Sequence, residues 1–327
     1  MPQKSHGFAV GRVRVLEQGL MGRSGLDRLA SANSLEEMAR ALTEFGWGEA
    51  RTRADIEALC DNQLQQACKQ VRDDTPEPDV TDCFLLKYDA LNLKVLLKSR
   101  VLGLVPSELS QCGTIDPERL RRAVSENNYI DLPAPLKLAM EQIEKRIASS
   151  MDPLYVDAQL DKAIYQMIQD KLVGVKNDTI KHYFAARADL TNILIALRAN
   201  QMGRGASFAK DLLVPGGSLS IEDVQRVADE PERAQNITFL TEYAPLIRDA
   251  LAVPNRGEGI ALLEKRADDL LLGLIRPHRY ESQSVLPLVG YLLAREREAM
   301  AVRLIATAKS ANVPRSKLDD RLRELYS

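Results

Sequence analysis

The stretch Tyr88–Gly103 reads YDALNLKVLLKSRVLG, and its pattern returns 100 residues later in ADLTNILIALRANQMG at Ala188–Gly203. Asp89 matches Asp189, Asn92 matches Asn192, Leu97 matches Leu197, Lys98 matches Arg198 and Gly103 matches Gly203. A weaker third copy, EAMAVRLIAT, starts at Glu298. There Glu298 stands for Asp89, Ala301 for Asn92 and Arg303 for Lys94, while Val302 and Leu304 keep the apolar positions. Self-similarity at such a period constrains a fold strongly, because each copy is one supersecondary unit that needs its neighbours to bury its apolar face. The repeat predicts an all-α chain of three similar helical modules, at 1–126, 127–230 and 231–327. Chains of this kind act by shape and contact more often than by chemistry.

The rest of the chain agrees with helix. Aromatic residues are scarce at 5%, and Leu, Ala, Arg and Glu are plentiful. Apolar residues recur at helical spacing in Gly7–Met21 (Phe8, Val10, Val13, Leu16, Leu20) and in Ala54–Val71 (Ile56, Leu59, Cys60, Leu64, Ala67). The same pattern marks Leu136–Ile147, Leu160–Ile168, Gly257–Ile275 and Tyr291–Lys309. Ser34 with Glu37 reads as a capping box. The acidic, proline-bearing stretch Asp73–Thr81 reads as a turn or linker. No alternating β-branched run is long enough to propose a sheet.

Within each copy the expected order is an acid, an apolar helix, a loop with Gly or Pro, and a short capped helix. In the first copy Leu93, Leu96, Leu97 and Val101 share one helix face. The loop holds Gly113, and Asp116-Pro117-Glu118 opens the next helix with Asp as cap and Pro at the first position. The second copy uses Pro215-Gly216-Gly217 and a cap at Ser220 with Asp223. The third places Pro314 before Ser316 and Asp319. Asp89 and Asn92 fall on one helix face, where a carboxylate and an amide could serve catalysis. No His or nucleophile accompanies them, so they read instead as structural, with the acid at a helix start serving free N–H groups.

Chemistry is sparsely represented elsewhere. The acidic pairs Asp73-Asp74, Asp268-Asp269 and Asp319-Asp320 lack the facing aspartate-rich motifs that a Mg²⁺-dependent prenyl-transfer enzyme needs. Neither Pro215-Gly216-Gly217 nor Gly203-Arg204-Gly205 fits a phosphate cradle. Cys60, Cys68, Cys83 and Cys112 form no CxxC pair, and three His are too few for a metal set, so reduced structural cysteines are expected. No cofactor is expected. A net charge of −2 gives no pull toward nucleic acid or anionic lipid. The longest uncharged run, Ser282–Ala294, has 13 residues, whereas a bilayer span needs about 20. Any membrane connection is therefore expected to run through a partner protein. An all-helical enzyme and a generic cytosolic helical-repeat scaffold are the competing readings.

Three segments carry a family resemblance: FAVGRVRVLEQGLM from Phe8, FLLKYDALNLKVLLKSR from Phe84 and LVGYLLAREREAMAVRLI from Leu288. They resemble the C subunit of the V-type and A-type rotary ATPases, whose eukaryotic counterpart is the d subunit. The middle segment is the most specific, a helix of form F/L-x-x-K-Y-D-x-x-N-L-K-x-L-L-K. The departure is Ala301, where the family's third repeat commonly carries Asn. The resemblance implies a helical funnel around a pseudo-threefold axis. It implies a non-catalytic rotor socket between the central shaft, made by the D and F subunits, and the membrane proteolipid (c/K) ring. It further implies a peripheral place on the cytoplasmic face, and torque transmission that couples ATP hydrolysis or synthesis to H⁺ or Na⁺ transport. Within that frame Asp89, Asn92, Leu97, Asp189, Asn192, Leu197, Glu298 and Arg303 form a structural repeat signature, with no catalytic or metal residue.

Overall fold

Capping residues mark several helix starts in this chain. Thr52 and Asp55 form a reciprocal capping box, the Thr52 side chain accepting from Asp55 N and the Asp55 carboxylate from Thr52 N. Ser34 accepts from Glu37 N, and Asp116 accepts from Glu118 N with Pro117 at the first helical position. The computed structural model describes residues 5–147 and 152–326. Among these residues there are helices and turns but no strand, and the fold is all-α.

The helices are α1 (His6–Glu17), α2 (Gly22–Ser31), α3 (Leu35–Glu44) and α4 (Arg53–Asp74). They continue with α5 (Pro78–Leu102), α6 (Pro117–Ser125), α7 (Ala134–Ile147) and α8 (Pro153–Leu172). Next come α9 (Asp178–Gln201), α10 (Ala206–Lys210), α11 (Ile221–Arg226), α12 (Arg233–Ile237) and α13 (Ala244–Leu251). The last are α14 (Arg256–Ile275), which ends in a 3₁₀ turn, α15 (Leu286–Ser310) and α16 (Arg315–Asp319).

The chain forms two compact units. One joins Met1–Thr81 to Asp268–Ser327. In it α15 packs along α4 and against α1, α2 and α3. Its core gathers Leu26, Leu29, Met38, Leu42, Trp47, Ile56 and Cys60 with Val302, Ile305 and Leu318. The other unit is Asp82–Ala267. There α7 packs on α8, and α10 and α11 pack on α9. Phe84, Tyr183 and Phe184 form a tilted and edge-on aromatic trio with centroids 4.8–5.1 Å apart, the geometry that ring quadrupoles favour. All four cysteines are buried and none is in a disulfide.

Three local expectations need correction. The linker expected at Asp73–Thr81 shrinks to Thr75–Glu77. Asp74 stays helical because its buried carboxylate is held by Arg12 at 2.9 Å and by Gln70, and Pro78 sits where a helix's first N–H groups are free anyway. In α1 the buried positions are Ala9, Val10, Val13 and Glu17, while Phe8 is 61% exposed and Leu16 is only half-buried. On α5, Leu93, Leu96 and Leu97 are buried, but Val101 is exposed near the helix end.

Candidate functional site

Each of the three long helices carries a buried acid at its midpoint: Asp89 in α5, Asp189 in α9 and Glu298 in α15. The acids do not start their helices, as the sequence suggested. The apolar runs that precede them, such as Cys83–Leu86, are themselves helical and extend each helix about three turns upstream. Their carboxylates instead receive N–H groups from another part of the chain.

In the first copy Asp89 accepts from Thr114 N at 3.0 Å, Thr114 Oγ1 at 2.7 Å and Ile115 N at 3.0 Å. Asn92, one turn on, exchanges two hydrogen bonds with the backbone of Ser110, Nδ2 to O and N to Oδ1, both at 2.8 Å. Farther along α5, Arg100 Nη1 donates to Val124 O at the end of α6. One helix thus fixes the loop at two points and the following helix at a third. A buried carboxylate is tolerated here because charge-assisted bonds replace its water.

The second copy repeats the arrangement. Asp189 accepts from Leu219 N at 3.0 Å, Ser218 Oγ at 2.5 Å and Tyr243 Oη at 2.9 Å. Burial, followed by the Asp189 charge, pushes the Tyr243 phenol well above its usual range, so it remains a donor. Asn192 exchanges the same pair of bonds with Val214, at 2.9 and 2.8 Å, and Asn200 Nδ2 reaches Ala228 O, two residues past the end of α11. Ser220 caps α11 by accepting from Asp223 N.

The third copy takes its loop from a different place. Glu298 accepts from Gly22 N at 3.1 Å, where α2 begins, and from Arg295 Nη1 at 3.1 Å. Lys309 Nζ donates to Ala30 O at the end of α2, occupying the place of Arg100 and Asn200. The loop and short helix of this copy are therefore the segment around Met21 together with α2. The expected capped helix near Pro314 is α16, whose start has no side-chain cap bond, and Asp319 pairs with Arg315 instead. Ala301 is buried without an amide to hold a loop. Desolvation raises the Glu298 pKa, and Arg295 and the N–H groups of Gly22 and Met21 offset part of that shift.

The three helix ends match as well. Gly103, Gly203 and Asn312 adopt φ of 63°, 66° and 51°. The next residue's N–H closes on a carbonyl five residues back in each case: Leu104 to Ser99, Arg204 to Ala199 and Val313 to Ala308, at 2.8–2.9 Å. This is the Schellman bond, and asparagine is the usual substitute for glycine in the left-handed conformation it needs.

Leu97 and Leu197 are buried beneath the clamps. Arg303 does something else: it bridges Glu57 at 2.9 Å and Asp61 at 2.6 Å on α4. Lys94 bridges Asp157 and Asp161 on α8 in the same manner, at 3.2 and 3.0 Å. Sequence reasoning missed Ser110, Thr114, Ser218, Tyr243 and the segment at Met21–Gly22, and read Arg295 as part of a basic contact surface, whereas it is buried against Glu298. The register of LSQCGTIDPE against LVPGGSLSIE, from Leu109 and Leu213, carries the signal for the first two loops. These carboxylates are occupied by the chain's own donors, an arrangement suited to holding shape. Among the described residues, no group of three His, Cys, Asp or Glu is gathered for a metal ion, and no helix is long and apolar enough to cross a membrane.

Comparison with known proteins places the chain. The model of the ATP synthase (C/AC39) subunit family matches residues 9–321. The C subunit of the V-type sodium ATPase of Enterococcus hirae is 24% identical over 83% of each chain. The C subunit of the V-type ATP synthase of Deinococcus radiodurans is 24% identical over 94% of this chain and 88% of its own. The C subunit of the A-type ATP synthase of Haloferax volcanii is 24% identical over 94% of both. The chain therefore belongs to the ATP synthase (C/AC39) subunit family, the C subunits of V-type and A-type ATPases.

Proposed function

We propose that the protein is a non-catalytic central-rotor subunit, a socket that joins a D/F-type central shaft to the membrane proteolipid ring and carries torque between them. The observation that carries this reading is the threefold clamp. Three long helices each hold a loop through a buried midpoint acid and a short helix through a polar side chain near their end, and family membership supplies the assembly. We infer three modules, near 1–126, 127–230 and 231–327, arranged as a funnel around a pseudo-threefold axis. The first two boundaries fall just after α6 and α11. The clamps of the third helix, at its midpoint and near its end, take in Gly22 and α2 from the other end of the chain.

A torque-bearing part must resist deformation. Close-packed helices do so because protein interiors are dense and poorly compressible. Fixing each loop by charge-assisted bonds adds stiffness where loops are ordinarily mobile. In this reading the protein sits at the cytoplasmic face, attached through partners, and neither binds ATP nor moves the ion, H⁺ or Na⁺. The repeat residues Asp89, Asn92, Asp189, Asn192 and Glu298 serve architecture.

The test is purification of the tagged protein from membranes of expressing cells, followed by identification of associated subunits. Shaft and proteolipid-ring subunits are expected. Deleting the protein should abolish ATP-driven ion pumping while detached catalytic heads still hydrolyse ATP. Recovery from the cytosol with no ATPase subunit would overturn the reading in favour of a free scaffold.

A further inference from the structure

The C-terminal half of α8, the N-terminal half of α9 and the loop at Pro215-Gly216 enclose an open cleft of about 290 Å³. Tyr165, Ile168, Leu172 and Phe184 give it an apolar floor. Gly216, at φ 100°, lets Gln169 lie directly on the loop, since a Cβ there would overlap the Gln169 amide. The cleft wall is thus the same loop that Asn192 and Asp189 hold in place through Val214, Ser218 and Leu219. Beyond the mouth Val173 is 83% exposed and continues the apolar lining outward. A large apolar side chain that exposed beside an apolar cleft marks a contact surface better than a scattered one.

Lys181 is the charged residue of the cleft lining. It is exposed and forms no ion pair among the described residues. Lys176, in the turn between Val173 and α9, is likewise exposed and unpaired. The cleft lies at the small end of the range for enclosed ligands and is open, which suits one or two inserted side chains better than a free metabolite. Pre-formed apolar pockets that accept an anchoring side chain, with complementary charge at the rim, are how partner proteins gain affinity and register.

We propose that this cleft docks a segment of a partner protein presenting an apolar side chain next to one or more carboxylates. The proposal rests on the assembly reading above, because it takes the partner to be another member of the complex. The experiment places the photo-crosslinking amino acid p-benzoylphenylalanine at Val173 and irradiates the purified, assembled membrane complex. A crosslink is expected to another member of the complex, in a segment with a large apolar residue within about one helical turn of Asp or Glu. Lys181→Glu, and separately Ala185→Trp to fill the cleft, should each cut the yield several-fold without loss of the protein from the complex. Normal assembly with no crosslink, a crosslink to a basic segment, or a yield unmoved by both substitutions would overturn the docking site and leave the assembly reading intact. Absence of the protein from the complex altogether would remove both.

Discussion

Asp89 and Gly113 are in direct contact across the first clamp, so close that a Cβ on Gly113 would overlap Asp89 Oδ1. Gly217 stands in the same relation to Asp189. Neither glycine has a positive φ, so the requirement is close approach and not backbone freedom. Gly113→Ala and Gly217→Ala should each destabilise the fold by about 1–3 kcal/mol, the usual cost of overpacking. Gly11, in α1, has nothing within 4 Å of its would-be Cβ, so Gly11→Ala should stabilise by up to about 1 kcal/mol. Urea midpoints for the three variants test the contrast. Equal effects at all three sites would mean that the Asp–Gly contacts are not tight.

Removing the acid is expected to cost more than crowding it. Asp89→Ala leaves Thr114 N, Thr114 Oγ1 and Ile115 N without their acceptor, at a cost of about 3 kcal/mol. Asp89→Asn should fall between this variant and the wild type, because its amide nitrogen faces donors. Amide exchange at Thr114 and Ile115 should accelerate before that of the α5 interior. Uniform acceleration across the unit would instead show that the acid supports the whole core and not a local loop.

Much of this architecture was legible in the sequence because it depends on residue type at short range. Asp116-Pro117 and Ser220 with Asp223 mark helix starts through bonds that span two or three residues. The matched Leu97 and Leu197 identify buried faces because periodicity reports burial directly. The midpoint location of Asp89 was not legible in this way. An acid before an apolar run looks like an N-cap, and only the donors at Thr114 and Ile115, far along the chain, show otherwise. The third clamp was hidden for a second reason. Glu298 meets Gly22 across nearly the whole length of the chain, and a reading that expects each loop downstream of its helix points to Pro314. Arg295, one turn before Glu298, reads from the sequence as one of a basic surface cluster with Arg297 and Arg303, and only its burial against Glu298 shows otherwise.

The third clamp should respond to pH differently from a typical ion pair. Desolvation raises the Glu298 pKa above its ordinary value of 4.5, despite Arg295 and the N–H groups of Gly22 and Met21. The native state therefore binds this proton more tightly than the unfolded chain does. Its stabilising contribution is fully present below about pH 4.5 and is lost as pH rises through the folded pKa. Glu298→Gln keeps the side-chain size and an acceptor for Gly22 N–H but removes the titration. Between pH 4.5 and 7, wild-type stability relative to the variant should decline with rising pH. A difference that grows with pH would mean that Arg295 outweighs desolvation at this site.

A last test concerns the seat of Tyr326. Gly290 in α15 leaves room for its phenol, since a Cβ there would overlap Tyr326 Oη, and the side chain is 2% exposed. Glu17 accepts from Arg14 at 2.5 Å and Arg279 at 3.4 Å nearby, and the Arg279 guanidinium lies over the Tyr326 ring at 5.4 Å. Burial raises the Tyr326 pKa, and its hydroxyl, Arg14 Nη2, Arg279 Nε and Glu17 Oε1 are buried without a hydrogen-bond partner among the described residues. An unpaired buried hydroxyl stabilises nothing, so its removal is inexpensive, whereas loss of the ring opens a cavity. Tyr326→Phe should leave stability within about 1 kcal/mol of wild type, while Tyr326→Ala should cost about 3–5 kcal/mol. If Tyr326→Phe proves as damaging as Tyr326→Ala, the hydroxyl is bonded through water to Glu17 and the two arginines, and the four polar atoms form one network.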